Sequence, residues 1–314
     1  MKAIMIQLSH ELKRFKTTKN SIETIFIGGG TPSTIEAKRY EEFFKTLKPY
    51  LKDNTEITIE ANPNSANLEW LKDMKNLGVN RVSFGVQSFN EKKLNYLGRN
   101  HNKTQAINAV KNANKVGFKN ISIDIIYDTY HDTKKLLEDD LNLAFSLPIN
   151  HLSSYSLTIE KGTTFAKNRT KPKDDLNLTK WFIQKVKTHF PQYEISNFGT
   201  YNSKHNLGYW QLKNYIGIGA GAVGFHHDKR YYPTPNIQNY IKNPLNIRVE
   251  NLKQEDIKLE KIFLGLRSIV GVEKELLDKQ KLILLLDEGK VYQKDNKIFN
   301  KNYLLADELA LFLT

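Results

Sequence analysis

A glycine triplet follows an apolar run near the start of the chain, in residues 25–32, Ile-Phe-Ile-Gly-Gly-Gly-Thr-Pro. The apolar part predicts a buried strand of a parallel sheet, and the glycines predict the turn that leaves it. Because glycine has no side chain, a ligand can approach the backbone N–H groups of such a turn closely. Taken alone, the triplet is as typical of a tight strand-to-helix turn as of a ligand cradle.

Polar side chains stand at the end of each predicted strand that follows: Thr31, Glu60, Gln87, Asp124 and Tyr155. Each could cap a helix. The carboxyl ends of parallel strands gather at one edge of a sheet, however, and ligand sites of such folds lie there. One polar residue at every strand end therefore favours a shared pocket over five separate caps.

The elements that must position these residues alternate between strands and helices. Strands are predicted over 22–27, 56–60, 80–86, 120–126 and 150–157, and the main helices between them over 34–51, 66–77, 103–116 and 133–146. This alternation predicts parallel strands with right-handed crossovers, in a barrel or a doubly wound sheet. Since the pattern begins with a helix over 1–16, we expect a barrel without its first strand.

After residue 160 the pattern loosens. A basic polar loop is predicted over 162–175, a helix over 175–189 and a strand over 193–198. The end of the chain combines helices with short alternating strands, a pattern similar to a small winged-helix domain. We therefore expect three parts: a partial barrel over 1–160, an extension over 161–250 and an α+β appendage over 251–314.

A second group of chemically capable residues is His205, Tyr209 and Trp210. His and Tyr are both possible ligands of haem iron, and Trp offers a flat apolar surface to a macrocycle. The same residues are also typical of a polar loop that closes on the core with one packed Trp. From chemistry alone, this alternative is favoured.

The glycine-rich stretch 217–224 contains a formal GxGxxG pattern at Gly219, Gly221 and Gly224. Dinucleotide binding would require a helix next and an acidic residue about twenty positions on, and neither is present. We therefore reject that interpretation. The glycines instead predict backbone segments that pack closely against each other.

Composition excludes several classes of function. The chain contains no cysteine, so this sequence supplies no disulfide, thiolate zinc site or iron–sulfur ligand. The net charge is +13, but only 8 of the 47 basic residues are Arg. Proteins that recognise phosphate groups favour Arg, so we expect no nucleic-acid partner. Without a signal-peptide layout or an apolar run of membrane-spanning length, we expect a cytoplasmic protein.

Five motifs occur in an order that resembles the radical-SAM coproporphyrinogen-oxidase-like family. They are Gly-Gly-Gly-Thr-Pro at 28–32, Glu-Ala-Asn-Pro at 60–63, Gly-Val-Gln-Ser-Phe at 85–89, Leu-Gly-Arg-Asn-His at 97–101 and Asp-Ile-Ile-Tyr at 124–127. His205-Asn206 followed by Tyr209-Trp210 resembles one branch of that family, the HemW haem chaperones, because the oxidase branch lacks this motif. The resemblance covers nearly the whole chain.

The resemblance implies an incomplete (β/α)6 TIM-like radical-SAM barrel that binds S-adenosylmethionine (SAM) at its strand ends. It assigns the amino-acid end of SAM to Gly29, Gly30 and Thr31, the nucleoside and carboxylate to Glu60, Gln87, Arg99 and Asp124, and haem to His205 and Tyr209. The partners it implies are haem and acceptor haemoproteins, membrane-associated ones included. The alternative function is that of an oxygen-independent coproporphyrinogen III oxidase.

The chain departs from the family in ways that bear on this alternative. The family carries a CxxxCxxC motif that ligates a [4Fe–4S] cluster, and this sequence has no cysteine, so oxidase chemistry is not expected of it. Either the chain starts inside a longer reading frame, which we expect, or it is a relative without the cluster. In addition, Asp128-Thr129-Tyr130 replaces a usual Gly-Leu-Pro turn, and Val223 replaces a usual His.

Overall fold

A computed structural model describes residues 1–159 and 172–314 of the chain. Most of the basic loop predicted over 162–175 lies outside these residues. The chain divides into two compact units. We call Glu23–Lys45 with Asn54–Asn202 the sheet unit, and Met1–Ile22 with Thr46–Asp53 and Ser203–Thr314 the accessory unit. None of the described helices is long and apolar enough to cross a membrane.

The sheet unit is built on a six-stranded sheet whose strands follow one another in chain order. The strands are β1 (Ile22–Ile27), β2 (Leu51–Ala61), β3 (Arg81–Gln87), β4 (Asn120–Tyr127), β5 (His151–Ser156) and β6 (Asn197–Gly199). From β2 to β5 neighbouring strands are parallel, and β6 runs antiparallel to β5. The predicted parallel pairing is therefore found from β2 to β5, and β6 is a short antiparallel strand at the far edge.

Helices connect these strands, as the alternation predicts. They are α2 (Glu41–Leu47), α3 (Leu68–Asn76), α4 (Glu91–Tyr96), α5 (Lys103–Val116), α6 (Lys134–Ser146) and α7 (Leu176–Lys187), while α1 (Lys2–Arg14) belongs to the accessory unit. Asn and Thr side chains cap several of them by accepting a backbone N–H of the first turn. The described helices and strands thus form successive β–α units.

The two faces of the sheet have opposite chemistry. One face buries branched apolar side chains such as Ile59, Val82 and Ile123, which alternate along the strands with polar residues of the other face. Register aligns the polar residues across the sheet. One row contains Glu60, Ser83, Ser122 and His151, and the next contains Asp124, Ser153 and Asn197. The sheet therefore presents a polar face from strand to strand.

Two predictions about the first crossover are wrong. The helix predicted over 34–51 is replaced by two short 3-10 turns, the seven-residue α2 and a further 3-10 turn at Lys48–Tyr50. Strand β2 starts at Leu51, five residues before the predicted strand. Pro49 lies in that last 3-10 turn and lacks an N–H donor, which disfavours an α-helix that continues through residue 51.

The accessory unit contains two three-stranded antiparallel sheets. β7 (Gly224–His226), β8 (Lys229–Pro233) and β9 (Ile247–Asn251) form one, and β10 (Val272–Glu273), β12 (Lys297–Asn300) and β11 (Val291–Lys294) form the other in that order. Its remaining helices are α8 (Lys204–Trp210), α9 (Ile237–Lys242), α10 (Gln254–Leu266), α11 (Lys279–Asp287) and α12 (Ala306–Leu313).

The end of the chain has its own hydrophobic cluster. Ile262, Val272, Leu285, Ile298 and Ala310 are buried together, drawn from two sheet strands and three helices. Sequence-distant apolar residues thus converge on one core, with the mixed helix-and-strand composition predicted for the appendage.

Gly217 is the tightest backbone approach in the glycine-rich stretch. A Cβ there would collide with the carbonyl oxygens of Ala222 and Val223, which are backbone atoms and cannot rotate away. We expect Gly217→Ala to lower the free energy of unfolding by about 3 kcal/mol. Gly208→Ala is the matched control, because its Cβ would meet only the Lys213 Cδ at 3.9 Å. Equal urea midpoints for the two variants would contradict this account.

Candidate functional site

The turn after β1 exposes backbone to solvent. Gly29 and Gly30 have φ angles of 77° and 60°, in the left-handed region that favours glycine. A Cβ added at either glycine would meet no atom within 4 Å, so open space lies above both. Two consecutive residues of this kind form a concave backbone surface with accessible amide groups.

Glu60 connects this turn to the next strand. The Gly29 N–H donates to Glu60 Oε2 at 3.3 Å. At Gly28 a Cβ would lie 2.8 Å from the same carboxylate oxygen, so only glycine permits this approach. Burial raises the pKa of Glu60, and the Gly29 N–H partly offsets the rise. The carboxylate therefore lies at the glycine turn.

Asp124 is a second carboxylate on the same polar face. The Ser83 hydroxyl donates to Asp124 Oδ1 at 3.2 Å. Burial and then repulsion by Glu60 raise the pKa of Asp124 to about 6. Because the Glu60 and Asp124 carboxylates repel each other, a ligand that donates hydrogen bonds to them, or a cation between them, would be favoured here.

Gln87 ends β3 in an unusual conformation. Its φ is 66°, and the pairing of β3 with β4 is irregular between Phe84 and Gln87. The Gln87 amide lies over Gly85, where a Cβ would be 3.1 Å from Nε2 and 3.6 Å from Asn62 Oδ1. Non-glycine residues in this region of backbone space carry strain and cluster at functional sites.

Arg99 completes the group from the segment between α4 and α5. Burial lowers the pKa of its guanidinium, while attraction to Asp124 raises it. Its buried Nε finds no acceptor among the residues that the structure describes. Buried donors normally have partners, so this atom is suited to an acceptor supplied by a ligand.

All seven residues that the resemblance assigns to SAM lie in the sheet unit, and most of them interact pairwise. Gly29 contacts Glu60, Glu60 repels Asp124, and Asp124 attracts Arg99. On the other side, the Asn62 amide donates to Thr31 Oγ1 at 3.4 Å and lies beside the Gln87 amide. Gly30 is next to Gly29 in the exposed turn. The structure thus brings the predicted residues to one edge of the sheet.

Sequence reasoning missed Asn62 and Ser83 as members of this group. The Asn62 amide donates to Thr31 Oγ1 and, like the Gln87 amide, lies near Gly85, while the Ser83 hydroxyl donates to the Asp124 carboxylate. The signal that could have found Ser83 is the alternation of polar and apolar residues along β3, which puts it on the same face as the neighbouring carboxylates.

His205 and Tyr209 lie one turn apart on α8 in the accessory unit. His205 Nε2 and the Tyr209 hydroxyl are hydrogen-bonded at 3.0 Å, and their rings meet edge to face at 4.8 Å. Tyr209 also packs against the Tyr215 ring at 4.6 Å. Burial raises the pKa of Tyr209 to about 12. The polar loop favoured by chemistry alone is therefore a helix, and it brings the two residues together.

Across residues 1–159 and 172–314, the structure groups no three His, Asp or Glu side chains in a geometry for a metal ion. With no cysteine in the sequence, these residues do not fit an iron–sulfur cluster. The pocket at the sheet edge is thus built from carboxylates, amides, a guanidinium and exposed backbone.

Known proteins share this fold. The solved structure of coproporphyrinogen III oxidase HemN from Escherichia coli, a radical SAM enzyme, superposes with a TM-score of 0.82, covering 100% of this chain and 82% of that one at 18% identity. At that identity the likeness shows the fold alone. It confirms the predicted radical SAM architecture.

Sequence relatives are more specific. Residues 5–144 match the model of the radical SAM superfamily. The heme chaperone HemW of Lactococcus lactis subsp. lactis is 33% identical over 99% of this chain and 85% of its own length. The heme chaperone HemW of Bacillus subtilis is 36% identical over 83% of this chain and 73% of its length. The chain therefore belongs to the HemW family of radical SAM proteins.

Proposed function

We propose that this chain binds haem in the cytoplasm and transfers it to acceptor haemoproteins, including membrane-associated ones. The observation that carries the proposal is the match along almost its whole length to relatives named heme chaperone HemW. The contact between His205 and Tyr209 supports it, because both residue types ligate haem iron and here they share one helix face.

The pair permits two modes of ligation. His205 can bind the iron through Nε2 after its bond to Tyr209 breaks. Alternatively, Tyr209 binds as a phenolate and His205 accepts its proton across the 3.0 Å contact. The raised pKa of Tyr209 means that the second mode needs such an acceptor. Single variants separate the modes: Tyr209→Phe should preserve haem binding if His205 is the iron ligand, and should abolish it if Tyr209 is the ligand.

A haem titration followed by visible absorbance tests the proposal. We expect the double variant His205→Ala/Tyr209→Phe to bind haem about 10- to 100-fold more weakly than the unaltered chain, with a displaced Soret band. The matched control is His10→Ala/Tyr292→Phe, because His10 and Tyr292 also lie in the accessory unit and Tyr292 is 44% exposed against 41% for Tyr209. Identical titrations for both double variants would count against His205 and Tyr209 as the haem site.

We further propose that the sheet edge binds SAM. The radical SAM superfamily implies SAM and a [4Fe–4S] cluster as its cofactors. The residues fit SAM: the Arg99 Nε, which has no acceptor within the part of the chain that the structure describes, suits its carboxylate, and the open glycine turn suits its amino-acid end. Glu60 and Asp124 suit ribose hydroxyls. When bound in the family, SAM supplies a cleavable sulfonium.

The chain's own residues bind and orient SAM in this proposal. They do not fit the cluster, since no thiolate is present in the sequence. The alternative function as a coproporphyrinogen oxidase requires an electron delivered through such a cluster. No step of that reaction is assigned to these residues.

A further inference from the structure

A buried cluster of charges lies behind Gln87 in the sheet unit. Lys93 and Asp132 are fully buried, and Asp140 is 2% exposed. Lys93 Nζ lies 2.8 Å from Asp132 Oδ1 and 3.9 Å from Asp140 Oδ2. Placing three charged groups in the interior is expensive, and it is tolerated only where they pair with each other and with backbone donors.

The Asp140 carboxylate accepts two hydrogen bonds from the segment that directly follows Gln87. The Ser88 hydroxyl donates to Asp140 Oδ2 at 2.6 Å, and the Phe89 N–H donates to Oδ1 at 2.7 Å. Hydrogen bonds to an ionised carboxylate are stronger than bonds between neutral groups. Asp140 belongs to α6, so these two hydrogen bonds join the segment after β3 to that helix.

Gln87 needs such support. Its left-handed backbone and the irregular ladder beside it are unfavourable on their own. The Val86 carbonyl accepts from the Ser88 N–H at 2.8 Å, which closes a tight turn around Gln87. His101 Nε2 lies 2.9 Å from the same carbonyl. Residues on both sides of Gln87 are therefore fixed.

The same cluster holds the turn after β4. The Thr129 N–H donates to Asp132 Oδ2 at 2.9 Å, and Lys173 Nζ lies 2.5 Å from the Asp132 carbonyl oxygen. One ion cluster thus joins the loops that follow two neighbouring strands, and these strands carry Gln87 and Asp124.

We propose that Asp140 is a positioning residue for SAM: its carboxylate, held by Lys93, fixes the Ser88-Phe89 turn and so orients the Gln87 amide toward the ligand. The inference rests on the proposed SAM site. Asn at position 140 keeps the shape but offers one acceptor oxygen instead of two, so the Ser88 hydroxyl and the Phe89 N–H can no longer both donate to it.

A double-mutant cycle tests the inference by calorimetric titration of the full chain with SAM. We expect Gln87→Ala to weaken binding about tenfold and Asp140→Asn about three- to tenfold, as each loses hydrogen bonding. Because Asp140 acts through Gln87, Asp140→Asn added to Gln87→Ala should weaken binding by less than about twofold. A residue that only stabilises the fold would weaken binding equally in both backgrounds.

Asp139→Asn is the matched control, since Asp139 is its exposed neighbour on the same helix and pairs with Lys135. We expect it to leave SAM affinity unchanged. Should Asp140→Asn fail to fold, Ser88→Ala enters the same cycle, because it removes one bond to Asp140 and leaves the ion cluster intact. Additive losses overturn the inference alone. No SAM binding by the unaltered chain overturns the SAM site and the inference together.

Discussion

Replacing Lys93 by Met lowers the free energy of unfolding by about 3–5 kcal/mol, because it leaves buried carboxylates without their cation. Met fills a similar volume, so the loss measures charge rather than packing. Asp132 keeps the Thr129 N–H and Asp140 keeps Ser88 and Phe89 as donors, yet within residues 1–159 and 172–314 neither carboxylate has a second ion-pair partner. Urea denaturation followed by circular dichroism measures the change.

A control variant and a combined variant show whether the loss of stability in Lys93→Met comes from the unpaired carboxylates. Lys135→Met is the control, because Lys135 forms an exposed pair with Asp139 on the same helix, and such pairs contribute less than about 1 kcal/mol. Adding Asp132→Asn and Asp140→Asn to Lys93→Met should recover part of the loss, since the unpaired charges are then gone. A Lys93→Met variant within about 1 kcal/mol of the unaltered chain would show that the cluster is not electrostatically required.

Replacing Asp124 by Asn stabilises the chain at pH 7.5 and leaves its stability unchanged at pH 4. The pKa of Asp124 is raised from 3.8 to about 6, so the folded state binds its proton more tightly than the unfolded state. Stability from this group is therefore complete below about pH 4 and is lost as the pH rises through 6. The shift corresponds to about 3 kcal/mol at most. Since Asn must still be desolvated, we expect a gain of about 1–2 kcal/mol at pH 7.5.

The same substitution should weaken SAM binding. Asn has one acceptor oxygen where Asp has two, and its neutral side chain no longer attracts the Arg99 guanidinium. A gain in stability with a loss in binding is expected where a strained site serves a ligand. Asp139→Asn, an exposed carboxylate, should show neither effect. If Asp124→Asn has the same stability difference at pH 4 and pH 7.5, the raised pKa is wrong.

Local signals explain why much of the sheet unit was predictable. The helix predicted over 103–116 is found with the same bounds, because Asn102 and Gln105 form a capping box and Gly117 ends the helix at φ 93°. Strand β1 also has its predicted bounds, since an apolar run meets three glycines. In both cases the residues that set the boundary are adjacent to it.

Other features depend on distant residues and could not be read from local patterns. The first half of β2 contains Asp53 and Asn54, which are uncommon in strands, and its exposed positions hide the alternation. Gln87 has a left-handed backbone, and the two residues after it, Ser88 and Phe89, donate to Asp140, 52 and 51 positions later in the chain. In a chain so rich in lysine, no local sequence pattern predicts that Lys93 is buried.

The sequence indicated which residues belong to the candidate site, but not how their side chains are arranged. Strand alternation and the family resemblance indicated Glu60, Gln87 and Asp124. Asp124 lies within β4, as predicted, where its carboxylate accepts from Ser83 and is repelled by Glu60. Its raised pKa is a consequence of that tertiary neighbourhood and has no local sequence signal.

Titration of the unaltered chain with haem is the most direct test of its proposed role as a haem chaperone. We predict a Soret band distinct from that of free haem, with an intensity that saturates at one haem per chain. Absorbance that rises without saturation, as the sum of free haem and protein, would contradict the proposal.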